Sequence, residues 1–322
     1  MHSESRTIAE GTSRAQSTGP APLVAAVATA YDASNVTFRV LRAFGWGPLL
    51  NLGYYTFGKP LTLLNFLVTP LIFTPFLRLP AAQLKLVKKA VALLDLPGGR
   101  RVLDVGCGRG TSAYVMANAF PHTHVTGIDL LPENPVVART LYGNMPNLTY
   151  VEGDAMNLAF PNRSFDRVLC LEAAFQFPDR PGFLSEISRV VDARARVVIV
   201  DFMWKTDEAR DICHDERSRL VRRTWQWENF DSVRGYRDNA QANGFQVNAC
   251  LDWSSHVTAP LGTIFAAVAG LARWAWGRAA LSRYQPLLRA LTDEDWQEFI
   301  ASAGAHRYVH RHVQYVALVL SR

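Results

Sequence analysis

The sequence predicts an α/β protein built on a mostly parallel sheet, and three observations predict it. Between residues 101 and 201, short apolar runs alternate with stretches of helical periodicity. A parallel sheet with crossover helices has this order. Between Arg196 and Asp201 the run Val-Val-Ile-Val is apolar without a break, as in a strand covered on both faces. The apolar run at 102–105 opens into a turn with glycine at 106, 108 and 110, and then into a helix. Such a turn lets the backbone approach a ligand closely, and the helix points its free N–H groups back at it.

In chain order, residues 1–20 are polar, rich in Ser and Thr and without periodicity, which predicts a disordered tail. Residues 21–95 are expected to form a helical cap. It contains Trp46-Gly-Pro-Leu-Leu-Asn-Leu-Gly-Tyr54-Tyr55 and an apolar run at 61–77. That run approaches the length of a membrane span, but Pro70, Pro75 and several polar residues interrupt it. A buried cap helix or an interfacial segment is the better reading. The next stretch, 81–95, has helical periodicity with Leu84, Val87, Val91 and Leu94 on its apolar side.

The core is predicted over 96–202. Strands fall at 101–105, 124–128, 148–152, 166–171 and 196–201, and helices at 110–120, 133–143 and 181–191. Residues 203–230 read as an insertion with a helix rich in arginine and tryptophan. Glu208, Asp211, Asp215 and Glu216 in the same stretch argue against a nucleic-acid surface. The core resumes over 231–252 with a helix ended by Gly244 and a strand. Residues 253–311 read as a second helical insertion, apolar in front, and 312–322 as the last core strand.

At 322 residues the chain can bury a sizeable core. Its net charge of +6 is mildly basic; this admits peripheral contact with an anionic membrane but is first read as a solvated surface. Cys107, Cys170, Cys213 and Cys250 have no metal-ligand spacing, so no metal is expected and the thiols are read as reduced, in a cytoplasmic protein. The residues specify no oligomeric state.

The glycine turn, Arg101-Val-Leu-Asp104-Val-Gly-Cys-Gly-Arg-Gly110, departs from the Gly-x-Gly-x-x-Gly of dinucleotide folds, whose third glycine would fall at Thr111. With Asp104 ahead of it, the triplet resembles motif I of the class I S-adenosylmethionine-dependent methyltransferases. Three further stretches resemble that family. Val125-Thr-Gly-Ile-Asp129-Leu reads as a second strand ending in an acid about 20 residues on, where a ribose diol is held. Val151-Glu-Gly-Asp154-Ala-Met and Ser164-Phe-Asp-Arg-Val-Leu-Cys-Leu-Glu172 complete the set.

The resemblance implies a Rossmann-like, seven-stranded sheet whose antiparallel last strand lies at the edge, beside the strand before it. It implies S-adenosylmethionine as cofactor. Gly106, Gly108 and Gly110 would approach it, with Asp104 near its methionine amine. Asp129 would take the ribose hydroxyls and Asp154 the adenine amine. Leu130 and Ala155 would pack on the adenosine, and Glu172 would face the reacting end. Tyr54 and Tyr55 belong to an aromatic segment that closes over the site in relatives; plain packing in the cap is the other reading. A catalytic histidine is often found just after the strand-four acid, but Phe175 and Gln176 stand there. Asp201 and His256 are the remaining candidates for a base. Because the cap and insertions are unusually apolar, the expected acceptor is a hydrophobic small molecule of polyketide, quinone, terpenoid or lipid type. An NAD(P)-dependent oxidoreductase and a non-catalytic relative are the alternatives.

Overall fold

The computed structural model describes residues 21–47, 49–56, 78–227 and 230–322. The expected tail at 1–20 and the apolar run at 61–77 lie outside the described residues. The N-terminal helices are α1 (Ala21–Ala30), α2 (Val36–Ala43) and α3 (Arg78–Ala92). The core follows as β1 (Arg101–Val105), α4 (Thr111–Ala119), β2 (His124–Asp129), α5 (Glu133–Tyr142), β3 (Leu148–Glu152), β4 (Phe165–Leu171), α6 (Arg180–Val190) and β5 (Val191–Trp204). Then come α7 (Glu216–Trp225), α8 (Val233–Ala242), β6 (Gln246–Asp252), α9 (Thr258–Ala272), α10 (Ala275–Tyr284), α11 (Asp293–Val309) and β7 (Val313–Ser321).

Among the described residues the strands form one seven-stranded sheet in the order β3-β2-β1-β4-β5-β7-β6. β1 to β5 are parallel, and β7 runs antiparallel to both β5 and β6. The last strand is therefore not at the edge; β6 is. The burial of each explains the order. β7 is buried at six successive positions from Tyr315 to Leu320 and at Val313, whereas β6 is accessible throughout. An interior strand needs apolar residues on both faces, and an edge strand does not. β5 is also longer than the expected 196–201. Its start pairs with Phe165, and its end keeps pairing with β7 as far as Trp204↔Val313.

Successive side chains of a strand go to opposite faces. Leu103 and Val105 pack with Phe183, Ile187 and Tyr236 of α6 and α8, while Val102 packs with Leu86, Val91 and Met116 of α3 and α4. Of the expected apolar side, Val87, Val91 and Leu94 are buried and Leu84 is half-buried; Leu86 and Ala90 of α3 are buried beside them. Gln83 on the same helix is also buried, for a reason given below.

Helices α1 and α2 pack with the helices of both insertions, whereas α3 packs on the sheet. Phe38 and Leu41 of α2 pack with Phe265 of α9 and Trp296 and Phe299 of α11. Thr37 and Ser302 share a buried hydroxyl–hydroxyl hydrogen bond of 2.7 Å, and Arg39 meets Asp295 at 3.0 Å. The start of α11 is a capping box: Thr292 Oγ1 accepts from the Asp295 N–H at 3.1 Å, and Asp295 Oδ2 accepts from the Thr292 N–H at 2.8 Å. Thr292→Ala is expected to destabilise the fold by about 1 kcal/mol, read as a lower urea midpoint at unchanged slope.

Candidate functional site

The carboxyl ends of β1 to β4 are level. Register sets Asp104 beside Gly127 and Asp129 beside Glu152, and the Gly153 N–H donates to the Asp129 carbonyl at 2.9 Å. The strand ends therefore bring Gly106, Gly108, Asp129, Leu130, Asp154, Ala155 and Glu172 to one cleft. Its volume is about 1020 Å³, open mouth included.

The turn needs glycine for steric reasons. Gly106 has φ +67°, and a Cβ there would lie 2.3 Å from that of Ala173. Gly110 has φ +85°, and its Cβ would meet Ala138 and the Tyr150 ring at 2.6 Å. Gly110 is not part of the cleft lining. It caps α4 and receives the Tyr150 hydroxyl on its carbonyl at 2.6 Å, so it packs helix against strand. Gly110→Ala is expected to cost at least about 2 kcal/mol, from left-handed strain and the clash together, measured by chemical denaturation.

Asp129 is buried and accepts three hydrogen bonds: from the Gly108 N–H at 2.8 Å, the Leu131 N–H at 3.0 Å and the Asn134 amide at 2.9 Å. Burial raises its pKa, and those three donors work against the rise. Asp154 Oδ1 accepts from the Met156 N–H at 2.8 Å. Asp104 lies beneath the cleft rather than on it. It accepts from Ser112 Oγ at 2.5 Å, and burial pushes it up to about 7. Ser112 lines the cleft in its place.

Glu172 holds a left-handed backbone, φ +50°. Its carboxyl accepts from the Leu52 N–H at 3.1 Å and from the Tyr315 hydroxyl. Burial raises it to about 8 despite those donors. It faces two spaces at once. Beyond it lies a second cavity of about 630 Å³, open mouth included, walled by Trp46, Phe175, Phe202, Trp225, Trp227, Phe230 and Phe265. Tyr31, Leu50 and Glu172 line both cavities. Gln83 holds this partition in place: its amide donates to the carbonyls of Leu49 and Asn51 at 3.0 and 2.7 Å.

Besides Asp104 and Gly110, the expected residues Asp201, His256 and Tyr54 lie outside the lining of both cavities. Asp201 is fully buried and accepts from the Phe202 N–H at 2.8 Å. It shares strand parity with Val197, Ile199 and Met203, which face α6 and α8, while Phe202 faces the second cavity. Burial raises Asp201 to about 7, with the Arg180 guanidinium opposing. The His256 ring stacks on Tyr54 at 4.5 Å, and its Nδ1 lies 2.9 Å from the Tyr55 carbonyl. Tyr54 is pinned between that ring, Trp253 and the Lys89 ammonium. Tyr55, the other residue of the aromatic segment, lies near Glu172, and burial and that carboxyl both raise its pKa.

Two histidines that the sequence reading passed over do line the second cavity. His306 on α11 and His310 at its C-cap are four residues apart, a spacing that puts both on one face, and that spacing is the sequence signal for them. His306 Nε2 accepts from Trp225 Nε1 at 2.6 Å, and its Nδ1 donates to the Ser302 carbonyl at 2.7 Å, so the ring is held neutral. His310 stacks on Phe202 at 6.3 Å, and its Nδ1 is buried without a hydrogen-bond partner among the described residues. Burial lowers the two to about 4 and about 3. No group of three or more potential metal ligands occurs among the described residues, and no helix among them is long and apolar enough to cross a membrane.

A methyltransferase-domain family matches residues 102–194. The 2-methyl-6-phytyl-1,4-hydroquinone methyltransferase of Synechocystis is 31% identical over 235 residues, 71% of this chain and 68% of that protein. The phthiotriol/phenolphthiotriol dimycocerosates methyltransferase of Mycobacterium leprae is 31% identical over 167 residues, 50% of this chain and 58% of that protein. In fold, the chain superposes on a cyclopropane synthase from Mycobacterium tuberculosis with a TM-score of 0.67, at 14% identity over 93% of this chain and 98% of that one. The cleft suits an adenosyl group, with carboxylates at one end of the sheet and Ile128, Leu130, Ala155 and Met156 between them. The chain belongs to the class I S-adenosylmethionine-dependent methyltransferases, in their small-molecule branch, and S-adenosylmethionine is its cofactor.

Proposed function

We propose that the protein transfers the methyl group of S-adenosylmethionine to a hydrophobic small molecule seated in the aromatic-walled cavity. The observation that carries this reading is the partition of Tyr31, Leu50 and Glu172, which lines the cofactor cleft on one side and that cavity on the other. Bound, the cofactor supplies an electrophilic methyl on a sulfonium. Asp129 takes the ribose hydroxyls, Asp154 the adenine amine, and Leu130, Ala155 and Met156 the faces of the base. Gly106 and Gly108 give the close backbone approach at the methionine end, with Asp104 acting through Ser112. Glu172 and Tyr31 then flank the path of transfer, and catalysis is mainly placement.

Seven aromatic side chains, with His306 and His310 held neutral, make a largely apolar wall that suits a planar or polyprenylated acceptor. Two of these relatives act, by their names, on a phytyl hydroquinone and on phthiotriol or phenolphthiotriol dimycocerosates, which supports a quinone-type or lipid acceptor here. The acceptor is the expected partner rather than nucleic acid. Three of the four arginines of α7 are tied down locally: Arg217 to Asp215 at 2.8 Å, Arg219 to the His214 carbonyl at 2.8 Å and Arg222 to the Trp227 carbonyl at 3.3 Å.

The test is incubation with labelled S-adenosylmethionine and a lipid extract of the source cells, followed by mass analysis of methylated products. With the acceptor in hand, Phe265→Trp should fill the cavity and raise its KM at least about tenfold, leaving cofactor affinity unchanged. Unchanged acceptor kinetics would place the acceptor elsewhere.

A further inference from the structure

Helix α9 carries no charged residue, even at its accessible positions Ala266 and Gly270. The outer face of a helix in water ordinarily carries charge. Its inner face gives Leu261 and Phe265 to the aromatic cavity. Where α9 ends, Arg273-Trp274-Ala-Trp276 turns the chain into α10. Trp274 and Trp276 are 60% and 65% exposed, whereas Trp46, Trp204, Trp227, Trp253 and Trp296 are buried. From Trp253 to Thr292 the chain has no Asp or Glu and four arginines, Arg273, Arg278, Arg283 and Arg289. Arg278 reaches Asp293 at 3.2 Å, and the other three are exposed.

We propose that the α9–α10 corner docks on an anionic lipid bilayer, with Trp274 and Trp276 at headgroup level. Indole is apolar in body and polar at one edge, and it concentrates at the membrane–water interface. An uncharged helix flanked by arginine lies in that plane, drawn there by anionic headgroups. A second copy of the chain is a poorer occupant. A two-fold contact sets the same surface against itself, so arginine would face arginine with no acid between 253 and 292 to offset it. Docking puts lipid against the outer face of the helix whose inner face walls the cavity, so a lipophilic acceptor leaves the bilayer beside its site.

The full chain is to be sedimented with vesicles of phosphatidylcholine, with and without phosphatidylglycerol, at low and high salt. The wild type should pellet with the anionic vesicles, and salt should weaken this. Arg273→Gln and Arg283→Gln should each lower the partition coefficient about fivefold. Trp274→Ala with Trp276→Ala should lower it at least about tenfold at an unchanged melting temperature, since both indoles are exposed. Brominated lipid should quench the fluorescence of the wild type and not of that double variant. No pelleting with anionic vesicles at low salt overturns the proposal, as does a double tryptophan variant that pellets like the wild type. A concentration-dependent dimer abolished by Trp276→Ala also overturns it, by assigning the face to a second copy. Vesicle binding is read without methyl acceptor, so its failure is distinct from a failure of methyl transfer.

Discussion

Asp129→Asn should weaken S-adenosylmethionine binding at least about 100-fold, because hydrogen bonds to a charged group are worth about 1.5–3 kcal/mol each and the ribose offers two. The loss has a second source. The Asp129 carboxylate also receives the Gly108 N–H, the Leu131 N–H and the Asn134 amide, and an asparagine turns an NH₂ toward at least one of these donors. The glycine turn then loses the anchor that tilts Gly108 toward the cleft. Asp154→Asn is the graded control. Asp154 receives the Met156 N–H on Oδ1, and a single charged hydrogen bond to ligand corresponds to about tenfold. Calorimetric titration of both variants checks the pair. Asp129→Asn binding within threefold of wild type would remove Asp129 from the ribose site.

Folding stability should fall as pH rises from about 6.5 to about 8. Burial raises Asp104 and Asp201 to about 7 and Glu172 to about 8, above their ordinary values near 3.8 and 4.5. Above those ordinary values the unfolded chain has released these protons while the folded chain retains them. Stability therefore declines with pH until the folded groups ionise too. His306 and His310 act in the opposite sense. Held neutral down to about 4 and about 3, they make stability rise with pH up to their ordinary value of 6.5 and contribute no slope beyond it. The two effects oppose each other below pH 6.5, and the carboxyls act alone above it. Each unit of upward shift is about a factor of ten in the folding constant. Urea midpoints at pH 6.5, 7.2 and 8 measure the slope. Glu172→Gln, isosteric and uncharged, should flatten its upper end, and a slope unchanged in that variant would show Glu172 ionised throughout.

The cofactor side of the site was legible because its chemistry is local. The strand, the glycine turn and the first helix are contiguous, and parallel register then carries Asp129 and Asp154 to the same sheet end as Gly106. The acceptor side has no such contiguity. Leu50, Phe202, Trp225, Phe265 and His306 come from the N-terminal segment, β5, α7, α9 and α11, and only tertiary packing collects them. Asp201 shows a different failure. Its neighbours Ile199 and Met203 belong to the layer under α6 and α8, so counting alternate residues along β5 would have turned it away from the ligand side. The order of the last two strands was readable as well. The nearly unbroken apolar run of β7 asks for neighbours on both sides, and Gln246-Val-Asn-Ala-Cys-Leu-Asp252 does not.

The position of β7 between β5 and β6 also constrains how the protein is made. On the ribosome, β5 emerges long before the strand that zips to it, and until β7 arrives its free backbone edge and the accessible β6 remain templates for wrong pairing. The helices of the two insertions are synthesised in that interval, so the nascent chain carries an unfinished sheet through most of their translation.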